Sequence, residues 1–296
     1  MINRIDEIQD DELRVIGRPS GTEGAGKSRK WLWIVAAVVI VAAVVAAAVI
    51  WSHKPDPVED TGVFDPYTVV EPANTVKEKL KPLGNYADTT TKAYTERLQL
   101  TINDIPLDIY IPHNAKASLM IGLPDASDDN IVLTTQAADI RADNGKINGA
   151  FVLAGKPMAW GLSKKGYVGI IDNKISIGVA DNSPLFEEAT EKGGYFFRQY
   201  PLVNNGVLVE NEPKGKSIRK AICDRAGEII VVMSTTPESF HDFAQALIDL
   251  QVDNAVYLVG SYSFGFYRDK DDTFTQIYER RNGGYKNENY ILWTTE

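Results

Sequence analysis

The 296-residue sequence predicts an α+β protein: a mixed β-sheet domain with a few packed helices, preceded by one transmembrane helix. Three observations lead there. An uncharged apolar run lies near the N-terminus, short apolar runs bounded by turn residues fill the rest, and one amphipathic stripe separates two of those runs.

The first run, Trp31 to Trp51, is 21 residues of Val, Ala, Ile, Leu and Trp, with no Gly, Pro, Asn, Gln or charge. At about 1.5 Å of rise per residue it extends roughly 30 Å, the thickness of a bilayer's hydrocarbon core. Trp31, Trp33 and Trp51 stand at its ends, where indoles favour the headgroup region. Lys27, Arg29 and Lys30 precede it and Asp56, Glu59 and Asp60 follow, so the positive-inside rule keeps residues 1–30 in the cytoplasm. A cleaved signal would have a shorter apolar region closing on small residues. This one closes on Val49-Ile50-Trp51, which favours an uncleaved anchor. The expected order is a cytoplasmic tail (1–30), the membrane span (31–51), a Pro- and Asp-rich stalk (52–93) and a domain at 94–296. That domain would lie outside the inner membrane: periplasmic under two membranes, on the cell surface under one.

Net charge is −9, and residues 1–30 hold six acidic and six basic side chains, so the excess belongs to residues 52–296. An acidic domain repels phosphate backbones, which argues against a nucleic-acid partner. The single Cys223 precludes an intrachain disulfide, leaving the core to stabilise the domain.

Strands are expected at 97–102, 107–111, 117–123, 130–133, 147–153, 167–171 and 174–179, with Asp172-Asn173 a tight hairpin turn between the last two. Short helices are expected over 74–80, over 135–143 (closed by Asn144-Gly145) and over 184–190. The clearest helix runs from Pro237 to about Gln251, capped by Thr236, with Phe240, Phe243, Ala244, Leu247 and Ile248 on one stripe. It separates the runs 228–233 and 255–259, a βαβ-like order that predicts a mixed sheet with the helix on one face.

Gly21 to Ser28 formally match the phosphate-binding pattern GxxxxGK[ST], but no buried strand delivers the loop and a membrane span follows at once. His53, His113 and His241 share no ligand spacing and no Cys pair exists, so no zinc site is read; a half-buried structural role is expected for His241. Gly260-Ser261-Tyr262-Ser263-Phe264-Gly265 lacks the spacing of a nucleophile elbow. Polar groups do interrupt apolar segments at Asn148-Gly149, at Arg198-Gln199 within an aromatic run, at Arg219 and Asp224 flanking the strand 220–223, and at Gly260-Ser261-Tyr262-Ser263. Strand ends collect ligand groups, so these are the candidate cleft.

In order and spacing, Ile147-Asn148-Gly149-Ala150-Phe151, Gln199-Tyr200-Pro201-Leu202-Val203 with Gly206, and Arg219-Lys220-Ala221-Ile222-Cys223-Asp224 with Gly227 resemble the phosphodiester glycosidase family. The match spans roughly residues 105–270. Family members include an enzyme that removes N-acetylglucosamine from a phosphodiester, and bacterial envelope proteins linked to exopolysaccharide. The resemblance implies an envelope hydrolase acting on a phosphate-linked glycan, or a glycan-binding or assembly factor using the same cleft. It implies Asp224 and Arg219 in catalysis, with Arg219 and Arg198 clamping phosphate. Asn148, Gly149, Gln199, Gly260, Ser261, Tyr262 and Ser263 would line the sugar site. Val259 and Ser261 stand where the family carries Asp and Gly, and Ala150 replaces a Gly. Hydrolysis at an anomeric carbon calls for carboxyl groups, so Val259 favours the binding alternative or a different acid. The cofactor stays open, a divalent cation included.

Overall fold

The computed structural model describes residues 80–87, 89–261, 263–278 and 286–295. All fall in the compact unit Thr75–Glu296. The tail, the span Trp31–Trp51, most of the stalk, nearly all of the expected helix 74–80, and Tyr262 lie outside them. Among the described residues no helix is long and apolar enough to cross a membrane.

Three open sheets build the unit. The first has seven strands: β1 (Tyr94–Ile102), β2 (Ile105–His113), β10 (Pro201–Asn204), β11 (Val207–Leu208), β12 (Lys220–Arg225), β13 (Glu228–Ser234) and β14 (Asn254–Leu258), in the order β1-β2-β13-β12-β14-β10-β11. The second contains β3 (Lys116–Ile121), β4 (Ile131–Gln136), β15 (Gly265–Arg268), β16 (Phe274–Tyr278) and β17 (Asn289–Thr294), ordered β16-β15-β4-β17-β3. The third contains β5 (Ala150–Leu153), β6 (Lys156–Trp160), β7 (Gly166–Ile171), β8 (Lys174–Val179) and β9 (Tyr195–Gln199), ordered β6-β5-β9-β7-β8. Among the described residues two helices accompany them, α1 (Leu185–Glu191) and α2 (Phe240–Asp249).

Side-chain alternation explains the layering. On β12, Ala221 and Cys223 face α2, joining Phe240, Phe243, Ala244 and Leu247 in one core. Ile222 faces the other way, into a core shared with Leu133 and Trp293 of the second sheet and Phe151 and Phe197 of the third. The centre of the first sheet is therefore buried on both faces, and β13 and β14 read as nearly continuous apolar runs, whereas the edge strand β1 alternates with polar, exposed residues.

Every strand pairing among the described residues is antiparallel, which corrects the expected mixed sheet. The strands either side of α2, β13 and β14, do run parallel to each other. They are not neighbours, because β12 is inserted between them and pairs antiparallel with both. The crossover and the strand 220–223 were both legible in the sequence; the insertion of that strand between the other two was not.

Two helix expectations also change. Residues 135–143 form no helix: Thr135 and Gln136 finish β4, and Ala137 and Ala138 donate to the backbone and side chain of Asn289. Pairing with the C-terminal strand overrides a weak local preference. The long helix starts after Ser239, whose Oγ accepts from Asp242 N at 3.0 Å, rather than at Pro237. Glu238 is held by Ser217 in a two-way backbone bridge, so Thr236 cannot act as the cap. The Asp172-Asn173 turn is as expected, with φ of 51° and 61°, the conformation of a two-residue hairpin. Leu83 and Gly84, assigned to the stalk by composition, donate backbone N–H groups to the Glu228 carboxylate and so belong with the domain.

Candidate functional site

The polar groups gather where the third sheet hands the chain to the first. β9 ends at Gln199, and Tyr200 leads directly into β10. Beside that crossing run the β4–β5 loop, carrying Asp139 and Asn148, and the β6–β7 loop, carrying Ser163 and Lys164.

Lys164 organises this corner. Its side chain is 5% exposed, its ammonium pairs with the Asp139 carboxylate, donates to Gln199 Oε1 at 2.6 Å and lies 4.5 Å from the centre of the Tyr200 ring. Burial lowers the Lys164 pKa, and the Asp139 charge opposes that shift. Asp139 keeps 30% of its side chain exposed, so the pair has one open side. Gln199 is fully buried and its Nε2 has no hydrogen-bond partner. A buried amide left half satisfied is costly, and a ligand oxygen would satisfy it. Asn148 donates its backbone N–H to the Asp139 carbonyl and accepts from Ser163 Oγ at 2.9 Å. Gly149 follows at φ 103°, and a Cβ there would press on Arg198 Cβ at 3.1 Å.

The second group lies around Tyr257, whose backbone N–H bonds the Tyr200 carbonyl. Its hydroxyl accepts from Gly260 N at 3.0 Å. Ser261, at φ 54°, donates its N–H to the Ile218 carbonyl. Ser263 Oγ donates to the Val259 carbonyl at 2.6 Å and accepts from Lys220 Nζ at 3.1 Å. Val259 N donates to the Ala137 carbonyl, so the loop bearing Asp139 runs alongside the end of β14.

Asn148 and Gly149 in the β4–β5 loop, and Gly260, Ser261 and Ser263 in the loop after β14, therefore flank the Tyr200–Tyr257 seam, with Gln199 at the end of β9 beside it. The two arginines are differently employed. Arg198 is 2% exposed and donates to the carbonyls of Lys164, Ala180 and Asp181, bracing the loops on either side of β7 and β8. Arg219 is 6% exposed, donates to the carbonyls of Glu238 and Gly215, and stacks 4.0 Å from the Phe240 ring centre. Both guanidiniums bond backbone carbonyls, Arg198 through its two terminal nitrogens while its buried Nε has no partner. Asp224 sits five residues along β12 from Arg219, roughly 17 Å at strand rise, and its carboxylate accepts from Gly227 N in the β12–β13 turn. The structure does not bring it to the Gln199 corner. His241 is exposed and pairs with Glu210, which corrects the expected half-buried position. Among the described residues, no three His, Cys, Asp or Glu groups gather as a metal site would require.

Asp139, Lys164, Tyr200 and Tyr257 were not singled out by sequence. Lys164 lies in an ordinary polar loop, Ser163-Lys164-Lys165, and carries no local signal. Beside Asn148 and Gly149 opens a groove of about 440 Å³, lined by Ile121, Ile147, Met158, Trp160 and Asn287 among others. The Trp160 side of that groove is also new, with this residue 67% exposed.

No family model matches the chain, and no curated protein matches it. Among solved structures, the zebrafish N-acetylglucosamine-1-phosphodiester alpha-N-acetylglucosaminidase catalytic domain, auto-inhibited by its pro-peptide, aligns at 13% identity with TM-score 0.49, covering 71% of this chain and 85% of that one. A hypothetical protein from Synechocystis aligns at 13% identity with TM-score 0.51, covering 69% of this chain and 62% of that one. The likeness is one of fold. At this identity it says nothing about which side chains do chemistry.

Proposed function

We propose that this chain is a membrane-anchored envelope hydrolase of the phosphodiester glycosidase type, acting on a phosphate-linked sugar at the Asp139–Lys164–Gln199 corner. The Asp139–Lys164 pair carries the reading: an acid and a cation held side by side, one side open, beside an unsatisfied buried amide. The order of sequence motifs from Asn148 to Ser263 supports it independently.

In this reading Asp139 replaces the acid missing at Val259, and presents a carboxylate to the positive charge that develops on the sugar ring. The Lys164 ammonium meets the departing phosphate as a point charge, a role the committed arginines leave unfilled. Gln199 Nε2 and Asn148 hold sugar hydroxyls, and the exposed face of Trp160 carries further rings along the groove. The Trp31–Trp51 span keeps the domain near lipid-linked or surface polysaccharide.

The full-length chain is incubated with an N-acetylglucosamine phosphodiester, and free sugar is measured. Wild type releases sugar and Asp139→Asn releases at least 100-fold less. Equal release by both proteins removes Asp139 from the site. Val259 favours a second reading, a glycan-binding factor without turnover. Saturable binding with no release by wild type decides for it.

A further inference from the structure

The least expected ionisable group in the protein is Lys220. It lies on the middle strand of the first sheet and is 0% exposed, yet among the described residues it has no carboxylate partner. Its cross-strand neighbours are Met233 and Leu258, and its ammonium nitrogen reaches Thr135 Oγ1 at 2.7 Å and Ser263 Oγ at 3.1 Å. None of these four carries a charge. Ser263, by contrast, is half-buried and lies in the loop at the end of β14. A fully buried amine therefore ends on the hydroxyl of a half-buried residue.

We infer that Lys220 and Ser263 form a serine–lysine pair, in which the Lys220 amine takes the Ser263 hydroxyl proton and Ser263 Oγ attacks the carbonyl carbon of a neutral acyl ester. Burial alone, with no opposing charge, lowers the Lys220 pKa from 10.5 to about 7, so a large fraction of the amine is free to accept a proton near neutrality. An ordinary lysine would not be. Serine is a weak nucleophile until a base lies within hydrogen-bond reach, and lysine fills that place in some acyl-transfer enzymes. The Ser263 proton now points to the Val259 carbonyl, and rotation about the Cβ–Oγ bond redirects it to Nζ.

The step balances without a co-reactant beyond water. The Oγ–carbonyl carbon bond forms, the ester's carbon–oxygen bond breaks, and the alcohol leaves with the proton that Lys220 took. Water then attacks the acyl-serine, Lys220 takes its proton and returns it to Oγ, and the carboxylic acid departs. A neutral ester suits the place better than a phosphate anion, since the guanidiniums of Arg198 and Arg219 are bound to backbone carbonyls. This activity is separate from sugar–phosphate cleavage and does not depend on Asp139.

The full-length chain is treated with a fluorophosphonate probe, which captures an activated serine by displacing fluoride, and is assayed with p-nitrophenyl acetate. Wild type acquires one adduct, on Ser263 by peptide mass spectrometry, at a rate that rises through pH of about 7 and then levels. Ser263→Ala abolishes the adduct. Lys220→Met, with its circular dichroism melt confirming the fold, lowers the labelling rate at least 100-fold. No adduct on wild type, an adduct elsewhere, or undiminished labelling of folded Lys220→Met overturns the pair. If Lys220→Met does not fold, the adduct site and the wild-type pH profile decide: an adduct off Ser263, or a rate that keeps rising to pH of about 9, overturns it.

Discussion

Replacing Lys220 by Met should stabilise the protein, and by an amount that depends on pH. Unfolded, the side chain titrates at its ordinary 10.5; folded, burial holds it at about 7. At 1.36 kcal/mol per unit of pKa the difference is about 5 kcal/mol, an order-of-magnitude figure. The sign follows from proton counts. Between pH 7 and 10.5 the unfolded chain binds the proton and the folded chain does not, so wild-type stability rises with pH across that window. Below pH 7 the cost is present in full; above 10.5 it has gone. Met matches the length of the lysine stem and carries no charge, so it removes the cost. It also forfeits the bonds to Thr135 and Ser263, at about 1 kcal/mol each. The net expectation at neutral pH is about 3 kcal/mol in favour of the variant, roughly 6–12 °C in Tm for a domain of this size. Urea unfolding followed by tryptophan fluorescence, at pH of about 6.5, 8.5 and 10, measures it. The advantage should shrink as pH rises. A variant less stable than wild type near pH 7, or an advantage constant across the three pH values, refutes the reasoning.

Three further predictions concern the site's frame. Arg219→Ala should lower stability by about 2–4 kcal/mol, because the Glu238 and Gly215 carbonyls lose a charged donor and Phe240 loses its stacked partner; an unchanged chemical-denaturation midpoint would return this residue to the list of free anion binders. Gly260→Ala places a Cβ against the backbone oxygen of Ile218, which cannot retreat without disturbing β12; a loss of about 1–3 kcal/mol is expected in thermal melts, and a neutral result would contradict the packing of the loop after β14. Asp139→Asn leaves Lys164 buried without its counter-charge; the stability loss, about 3 kcal/mol at neutral pH, should lessen as pH rises toward the lowered Lys164 pKa and beyond.

Local chemistry explains what the sequence could reveal. Asp172-Asn173 accept positive φ and sit between two apolar runs, so the β7–β8 hairpin could be read directly. The α2 stripe was legible because Phe240, Phe243, Ala244 and Leu247 recur at helical spacing and all are buried. Its first turn was not, since Glu238 is claimed by a strand-like bridge to Ser217, twenty-one residues earlier in the chain. Long-range pairing likewise turned Thr135 and Gln136 into strand and set β17 between β3 and β4. Polar residues inside apolar runs drew attention to Asn148, Gln199 and Ser263; folding puts Asn148 in the β4–β5 loop, Gln199 at the end of β9 and Ser263 in the loop after β14. For Arg198 and Arg219 the same signal also has a structural source, because a buried guanidinium bonded to carbonyls looks in sequence like one waiting for an anion. Asp139 and Lys164 stand twenty-five positions apart in polar loops, and only folding brings them into contact.

The most direct measurement is a crystal structure of the full-length chain with N-acetylglucosamine 1-phosphate bound. The phosphate should lie within hydrogen-bond reach of Lys164 Nζ, with a sugar oxygen on Gln199 Nε2 and the anomeric carbon facing Asp139. Ligand bound beside Asp224, or a Lys164–Gln199 corner left unchanged at saturating ligand, would contradict the account.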